Sequence, residues 1–259
     1  MTISGFVAGT LVHTDKGLAP IEQMKVGDMV LSKHESGDGE QAYKRVTKTF
    51  KSREKPPIVR VHFNRGIAYN TNMNLFCTAN HPFWCVVRQQ WLPTIKFKGH
   101  YHQLLDIKGN AFNVTDDVGY VMATGKAKVG ICPATYSDYR RNSGYSMMID
   151  FAGNKIRYVG GDAPIWNGIS EYYNIHPEED ITLLPHYDKK EDFPPYSLSR
   201  FYMQAFNERP PIDFIHPDNP NPDLEAVFND YVYNIEVEGF HTYYVGKAGV
   251  LTHDTTNIP

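Results

Sequence analysis

Both ends of this chain read as β-structure and the middle does not, and that asymmetry limits the fold more than any other feature. Near the start, GTLVHTDKGLAPIEQMKVGDMVLSK holds two short apolar runs, LV and MVLS, set around a Gly-Leu-Ala-Pro turn and a Gly27-Asp28 turn. RVTKTFKSR and PPIVRVHFN alternate apolar and polar residues with period two, as half-buried strands do. LFCTANHPFWCVV is a denser apolar run, broken by the polar corner Thr78-Ala79-Asn80-His81-Pro82. Close to the other end, VYNIEVE, HTYYVG and GVLTH are three further strand candidates. β-branched and aromatic residues dominate these runs and helical periodicity is absent, so an all-β domain is expected.

Between roughly Lys126 and Asn229 the sequence turns rich in Pro, Tyr, Asn and Asp. YSMMIDFAGNKIRYVGG reads as a hairpin with Gly153-Asn154 near its turn. SLSRFYMQAFNER is the best helix candidate, capped by Ser197 or Ser199, and a short helix is expected from Pro222 or Asp223. The organisation expected is a split β domain, 5–125 with 230–254, carrying an α+β insertion of unknown role at 126–229. Residues 1–4 and 255–259 would be flanking remnants. A domain split in this way brings its two ends close together.

Composition narrows the function classes. The 259 residues are 41% hydrophobic and 21% charged, as in an ordinary globular protein. The net charge of −3 supplies no basic field to recruit nucleic acid or acidic lipid. No apolar run approaches the ~20 residues needed to span a bilayer, and MTISGFVAGTLV lacks the build of a signal peptide. Cys77, Cys85 and Cys132 are an odd count without regular spacing, which argues against a disulfide framework, and Cys77 and Cys85, in an apolar strand-like run, read as buried free thiols. His176, Glu178, Glu179, Asp180, His186, Asp188, His216 and Asp218 fit no standard ligand spacing and read as solvated turn residues. Arg140 and Arg141 among Tyr136, Tyr139 and Tyr145 read as a Tyr-rich β surface in a net negative chain.

Several segments together resemble the Hint superfamily, the fold of inteins and hedgehog autoprocessing domains. GFVAGTLVHTDKGLAPIEQMKVGDMVLS looks like its opening block, LFCTANHPFW like its Thr-x-x-His block, and VYNIEVEGFHTYYVGKAGVLTHD like its two closing blocks. The flavour is that of bacterial intein-like and pretoxin Hint domains. The resemblance implies a horseshoe of twisted strands with pseudo-twofold halves, and a chain that cleaves its own backbone without cofactor or metal. Its own flanking polypeptide would be the substrate, plausibly with a toxin as downstream cargo and with neither nucleic acid nor membrane as partner. The setting would be the bacterial cytoplasm or a secreted toxin polypeptide. The insertion shows no homing-endonuclease motif.

The family's roles fall on particular positions. A Cys or Ser at the first position attacks the preceding carbonyl to give an ester or thioester. Here the family's Cys-Phe-Val-Ala-Gly-Thr is Gly5-Phe6-Val7-Ala8-Gly9-Thr10, so that nucleophile is missing, and Ser4 is one residue out of register and a poor substitute. By resemblance, His81 polarises the scissile amide and Thr78 helps bind its carbonyl oxygen. At the other end an Asn normally cyclises through its side-chain nitrogen, aided by a penultimate His (His253) and an upstream His acting as acid or base (His241).

Asp254 replaces that Asn, and a carboxylate attacks only through oxygen, by way of a less favourable anhydride. C-terminal cleavage is therefore expected to be slow or absent. Thr255 holds the first downstream position, and Asn234 stands where many inteins carry Asp, a departure that counts further against splicing. Hedgehog-like sterol transfer is excluded with the thiol it needs. Both covalent positions are substituted while each helper His remains. That is the pattern of a chain altered to trap its uncut precursor, with a naturally degenerate domain as the alternative.

Overall fold

Period-two alternation buries one face of each strand, and the chain folds by pairing such strands edge to edge. The computed structural model describes residues 4–64, 73–97, 102–114, 118–123, 127–132, 146–162 and 227–254. In chain order the strands are β1 (Phe6–Val7), β2 (Leu11–Thr14), β3 (Gly17–Pro20), β4 (Met29–Lys33), β5 (Gln41–Lys51) and β6 (Ile58–Asn64). There follow β7 (Met73–Thr78), β8 (Pro82–Cys85), β9 (Gln90–Pro93), β10 (Gln103–Leu105) and β11 (Ala111–Val114). Next come β12 (Gly119–Tyr120), β13 (Met122–Ala123), β14 (Val129–Cys132), β15 (Ser146–Asp150) and β16 (Arg157–Asp162). The last three are β17 (Val232–Val237), β18 (Thr242–Val245) and β19 (Val250–His253). Among the described residues the helical segments are short 3₁₀ turns at Ile21–Gln23, Thr94–Phe97 and Ala152–Asn154, so the described chain is all-β.

Two compact units divide the chain: Met1–Val118 with Asp230–Pro259, and Gly119–Asn229. In the first, the strands run in the order β10-β11-β6-β7-β1-β17-β5-β4-β2-β18-β19-β8-β9, with β3 on β2. β10 also pairs β8, so the path returns on itself. Two placements in this order decide the site. β1 lies between β7 and β17, with Phe6 opposite both Cys77 and Tyr233. β19 lies between β18 and β8, with His253 opposite Thr242 and Thr252 opposite Phe83. The first described residues and the last are thereby carried by strands from both halves of the sequence.

Phe6 anchors the core of this unit, fully buried with its ring edge-on to His81, Phe83 and Tyr243. Burial of one such ring stabilises by about 1.5–3 kcal/mol relative to exposure. A second cluster joins Trp84, Tyr244 and Leu251, flanked by Leu31, Val86, Trp91, Leu105 and Ile107. The three cysteines are buried.

One turn lies elsewhere than expected. Gly17–Pro20 is not a turn but strand β3, paired from Thr14↔Gly17 to Leu11↔Pro20. The reversal is at Asp15-Lys16, where the Thr14 hydroxyl accepts from the Lys16 N–H and donates to the Gly17 carbonyl. Gly17, at φ +103°, closes it in a conformation that side chains disfavour. Pro20 ends the strand, where its missing donor costs nothing.

Among the described residues, the second unit holds an antiparallel ladder, β13-β14-β15-β16. β15 and β16 form the hairpin expected around Gly153-Asn154, both in the left-handed region at φ 67° and 54°. Phe151 and Phe228 stack at 4.7 Å in its core. The helices expected near Ser197 and Pro222, the His, Glu and Asp group from His176 to Asp218, Arg140 and Arg141 with their tyrosines, and Thr255 lie outside the described residues.

Candidate functional site

Gly5 precedes β1 and is tied to the end of β7 from both sides. Its N–H donates to Thr78 Oγ1 at 3.2 Å, and its carbonyl accepts from the Thr78 N–H at 3.0 Å. A Cβ built on Gly5 would lie 2.9 Å from the carbonyl carbon of Tyr233, and closer still to its oxygen. Those atoms belong to the backbone of β17, which cannot swing aside as a flexible side chain does.

His81 is fully buried at the corner between β7 and β8. Its carbonyl accepts from both the N–H and the hydroxyl of Thr94, each at 2.8 Å, and its own N–H donates to the Thr78 carbonyl. The ring is fixed on both nitrogens: Nε2 lies 2.6 Å from Thr252 Oγ1, and Nδ1 lies 3.3 Å from Ser4 Oγ. Thr252 gives its single hydroxyl proton to the Pro82 carbonyl at 2.8 Å. Both contacts are satisfied when His81 carries its proton on Nε2 and donates to Thr252. Nδ1 is then an acceptor facing the Ser4 hydroxyl. Burial, reinforced by the nearby His253, pulls the imidazole pKa down to about 3, so the ring is neutral at physiological pH.

At the other end Asp254 is almost wholly buried. Its N–H donates to the His241 carbonyl at 2.8 Å. Its Oδ2 accepts from the Val237 N–H at 2.9 Å and lies 3.3 Å from His241 Nδ1, while Oδ1 lies 3.5 Å from His253 Nδ1. His241 sits in the β17–β18 turn at φ +56°, a backbone region that costs a non-glycine residue about 1 kcal/mol or more. Its side chain is 28% exposed, so it alone of the three histidines reaches toward solvent. His253 is buried against Trp91, ring centroids 5.0 Å apart, with Nε2 3.3 Å from Glu35 Oε2. The Trp91 indole N–H in turn donates to the Glu35 carbonyl at 2.7 Å. Burial lowers the His253 pKa, opposed by the Asp254 and Glu35 carboxylates.

One side chain touches both ends. Asn234 Nδ2 donates to the Ser4 carbonyl at 3.1 Å and to the Asp254 carbonyl at 3.2 Å. Gly5, Thr78 and His81 thus form one group, Asp254, His241 and His253 a second, and Asn234 with Thr252 joins them. Sequence reasoning did not single out Thr252, Glu35, Trp91 or Tyr243, and it set Ser4 aside. Glu35 and His253 are 218 positions apart, a pairing with no local signal.

Residues 11–127, a little under half of the chain, match the family model described as the pretoxin Hint domain. That stretch includes Thr78 and His81, and leaves out Gly5 and the closing strands. No curated protein sequence matches significantly. Among solved structures, a bacterial intein-like domain from Clostridium thermocellum is 20% identical over 96% of this chain and 97% of its own, with a TM-score of 0.46. The gp41-1 intein is 13% identical over 96% and 98%, TM-score 0.43. A DnaB intein from Synechocystis sp. is 9% identical over 97% and 99%, TM-score 0.39. Scores this low transfer no residue's role. Over residues 11–127, on an all-β frame, the chain is thus similar to the pretoxin Hint domain.

Proposed function

We propose that this domain autoprocesses its own flanking polypeptide at the carbonyl of Asp254, that the N-terminal acyl shift is absent, and that the C-terminal step is slow. The observation that carries the reading is the single Asn234 amide reaching the carbonyls of both Ser4 and Asp254, with three histidines around it. Cleavage at Asp254 has to proceed through a carboxylate oxygen. That oxygen attacks the residue's own carbonyl, the C–N bond breaks, and a histidine proton passes to the leaving amine. The cyclic anhydride formed then takes up water. Two features oppose attack: a carboxylate bears no nitrogen to form an imide, and the Val237 N–H and His241 hold its charge where it is. A carboxamide at 254 would restore the imide route. A downstream toxin is the cargo that the pretoxin description brings to this reading.

The test is intact-mass analysis of the unaltered chain beside Asp254→Asn at neutral pH, following loss of residues 255–259. A second reading is a Hint-fold module without covalent chemistry whose insertion binds a partner. It draws on the Tyr233 backbone standing where a Cβ at position 5 would be, since a chain closed around glycine has no room for the thiol. Absence of cleavage in Asp254→Asn favours that second reading.

A further inference from the structure

The geometry points to Asn234 as a carbonyl clamp shared by both junctions and catalytic at Asp254, polarising the Ser4 and Asp254 carbonyls with the two protons of one side-chain amide. The inference rests on the autoprocessing reading above and adds a residue to it. The orientation of the amide is fixed by partners that cannot change role. The atom 2.8 Å from the Ile235 N–H must be the oxygen, since that neighbour only donates. The atom within 3.2 Å of two carbonyl oxygens must be the nitrogen, since those neighbours only accept. Tyr243 donates its hydroxyl to the same Oδ1 at 2.6 Å. Tyr243 is fully buried, and its proton is retained because burial and the Asp254 charge raise its pKa. Donation into Oδ1 draws density from the amide and makes both N–H groups better donors.

The fold explains the reach. Asn234 lies on β17, which pairs with β1 on one side and β5 on the other, so its side chain meets the chain as it enters β1. Asp254 arrives from β19 by way of its bond to the His241 carbonyl at the β17–β18 turn. A carboxylate at 234 would face two carbonyl oxygens with like charge. A protonated acid would satisfy only one of them. The carboxamide is the side chain that serves both, and attack at the Asp254 carbonyl develops negative charge on an oxygen already held by a preset donor.

The experiment uses the full chain in two arms. In the first, the Asp254 carbonyl is resolved by ¹³C-Asp/¹⁵N-Thr labelling, because Asp-Thr occurs once in the sequence, and Ser4 by ¹³C-Ser/¹⁵N-Gly labelling, its signal told from those of Ser36-Gly37 and Ser143-Gly144 by Ser36→Ala and Ser143→Ala. Asn234→Leu should move both carbonyl resonances upfield. Movement of one alone, or of neither, overturns the shared clamp. Should the leucine variant fail to fold, coupling across the hydrogen bonds from the Asn234 amide nitrogen to both carbonyl carbons in the unaltered chain decides the same question. Coupling to fewer than two overturns it. In the second arm, Asn234→Leu added to Asp254→Asn should slow tail release by roughly 10²–10³-fold. An unchanged rate overturns the catalytic role and leaves autoprocessing standing. If Asp254→Asn alone never cleaves, the autoprocessing reading falls, and the catalytic role of Asn234 falls with it, whatever the carbonyl shifts show.

Discussion

Gly5 and the backbone of Tyr233 lie so close that a Cβ at position 5 would stand 2.9 Å from the Tyr233 carbonyl carbon. Gly5→Cys must therefore displace β17 or the entry to β1. A cost of about 1–3 kcal/mol is expected, as for other overpacked cores, measured by urea denaturation. The thiol variant is also expected to show no thiol-dependent N-terminal cleavage. A Gly5→Cys chain of unchanged stability would mean that β17 yields readily and that the position still accepts a nucleophile.

His81 makes stability depend on pH in a definite direction. Its pKa falls from about 6.5 when unfolded to about 3 when folded, so over that interval the unfolded chain binds a proton that the folded chain does not. Its contribution is complete above the upper value and is lost as pH drops through the interval, by about 1.4 kcal/mol per pH unit. His253 shifts the same way. Denaturation midpoints between pH 7 and pH 4 should fall more steeply for the unaltered chain than for His81→Gln. Equal slopes would contradict the neutral, buried imidazole.

Thr252 is the test of the His81 proton assignment. Thr252→Val keeps the shape and leaves the Nε2–H and the Pro82 carbonyl without the hydroxyl they share, at a cost of about 1–3 kcal/mol by thermal or urea denaturation. Thr252→Ser should retain most of the stability. Loss of the same size in both variants would point to the methyl group instead.

Ser4 keeps its hydroxyl on His81 Nδ1 and its carbonyl on Asn234. The N-terminus is expected to stay intact during long incubation with hydroxylamine. A chain that comes to begin at Ser4 would show that the hydroxyl attacks the carbonyl before it, which would reverse the view of this residue as a poor substitute for the missing nucleophile.

What was legible in the sequence followed from alternation and from local blocks. VYNIEVE, HTYYVG and GVLTH became β17, β18 and β19, and the corner in LFCTANHPFWCVV separates β7 from β8. Pattern and turn chemistry act over a few residues, so such segments declare themselves. Gly-Leu-Ala-Pro misled because its residues suit a turn, whereas pairing with β2 made it a strand. The wider site depends on strand order: Asn234 touches Ser4 and Asp254 because β17 borders β1, and Glu35 meets His253 across the whole sequence. No spacing within one segment encodes contacts of that range.

The most direct measurement follows the mass of Asp254→Asn and of the unaltered chain together at neutral pH. Release of the five residues after position 254 from the variant, with the unaltered chain still intact on that timescale, is the expected result. Rapid tail loss from the unaltered chain, or an intact variant after prolonged incubation, would contradict a cleavage site that lacks only its nucleophile.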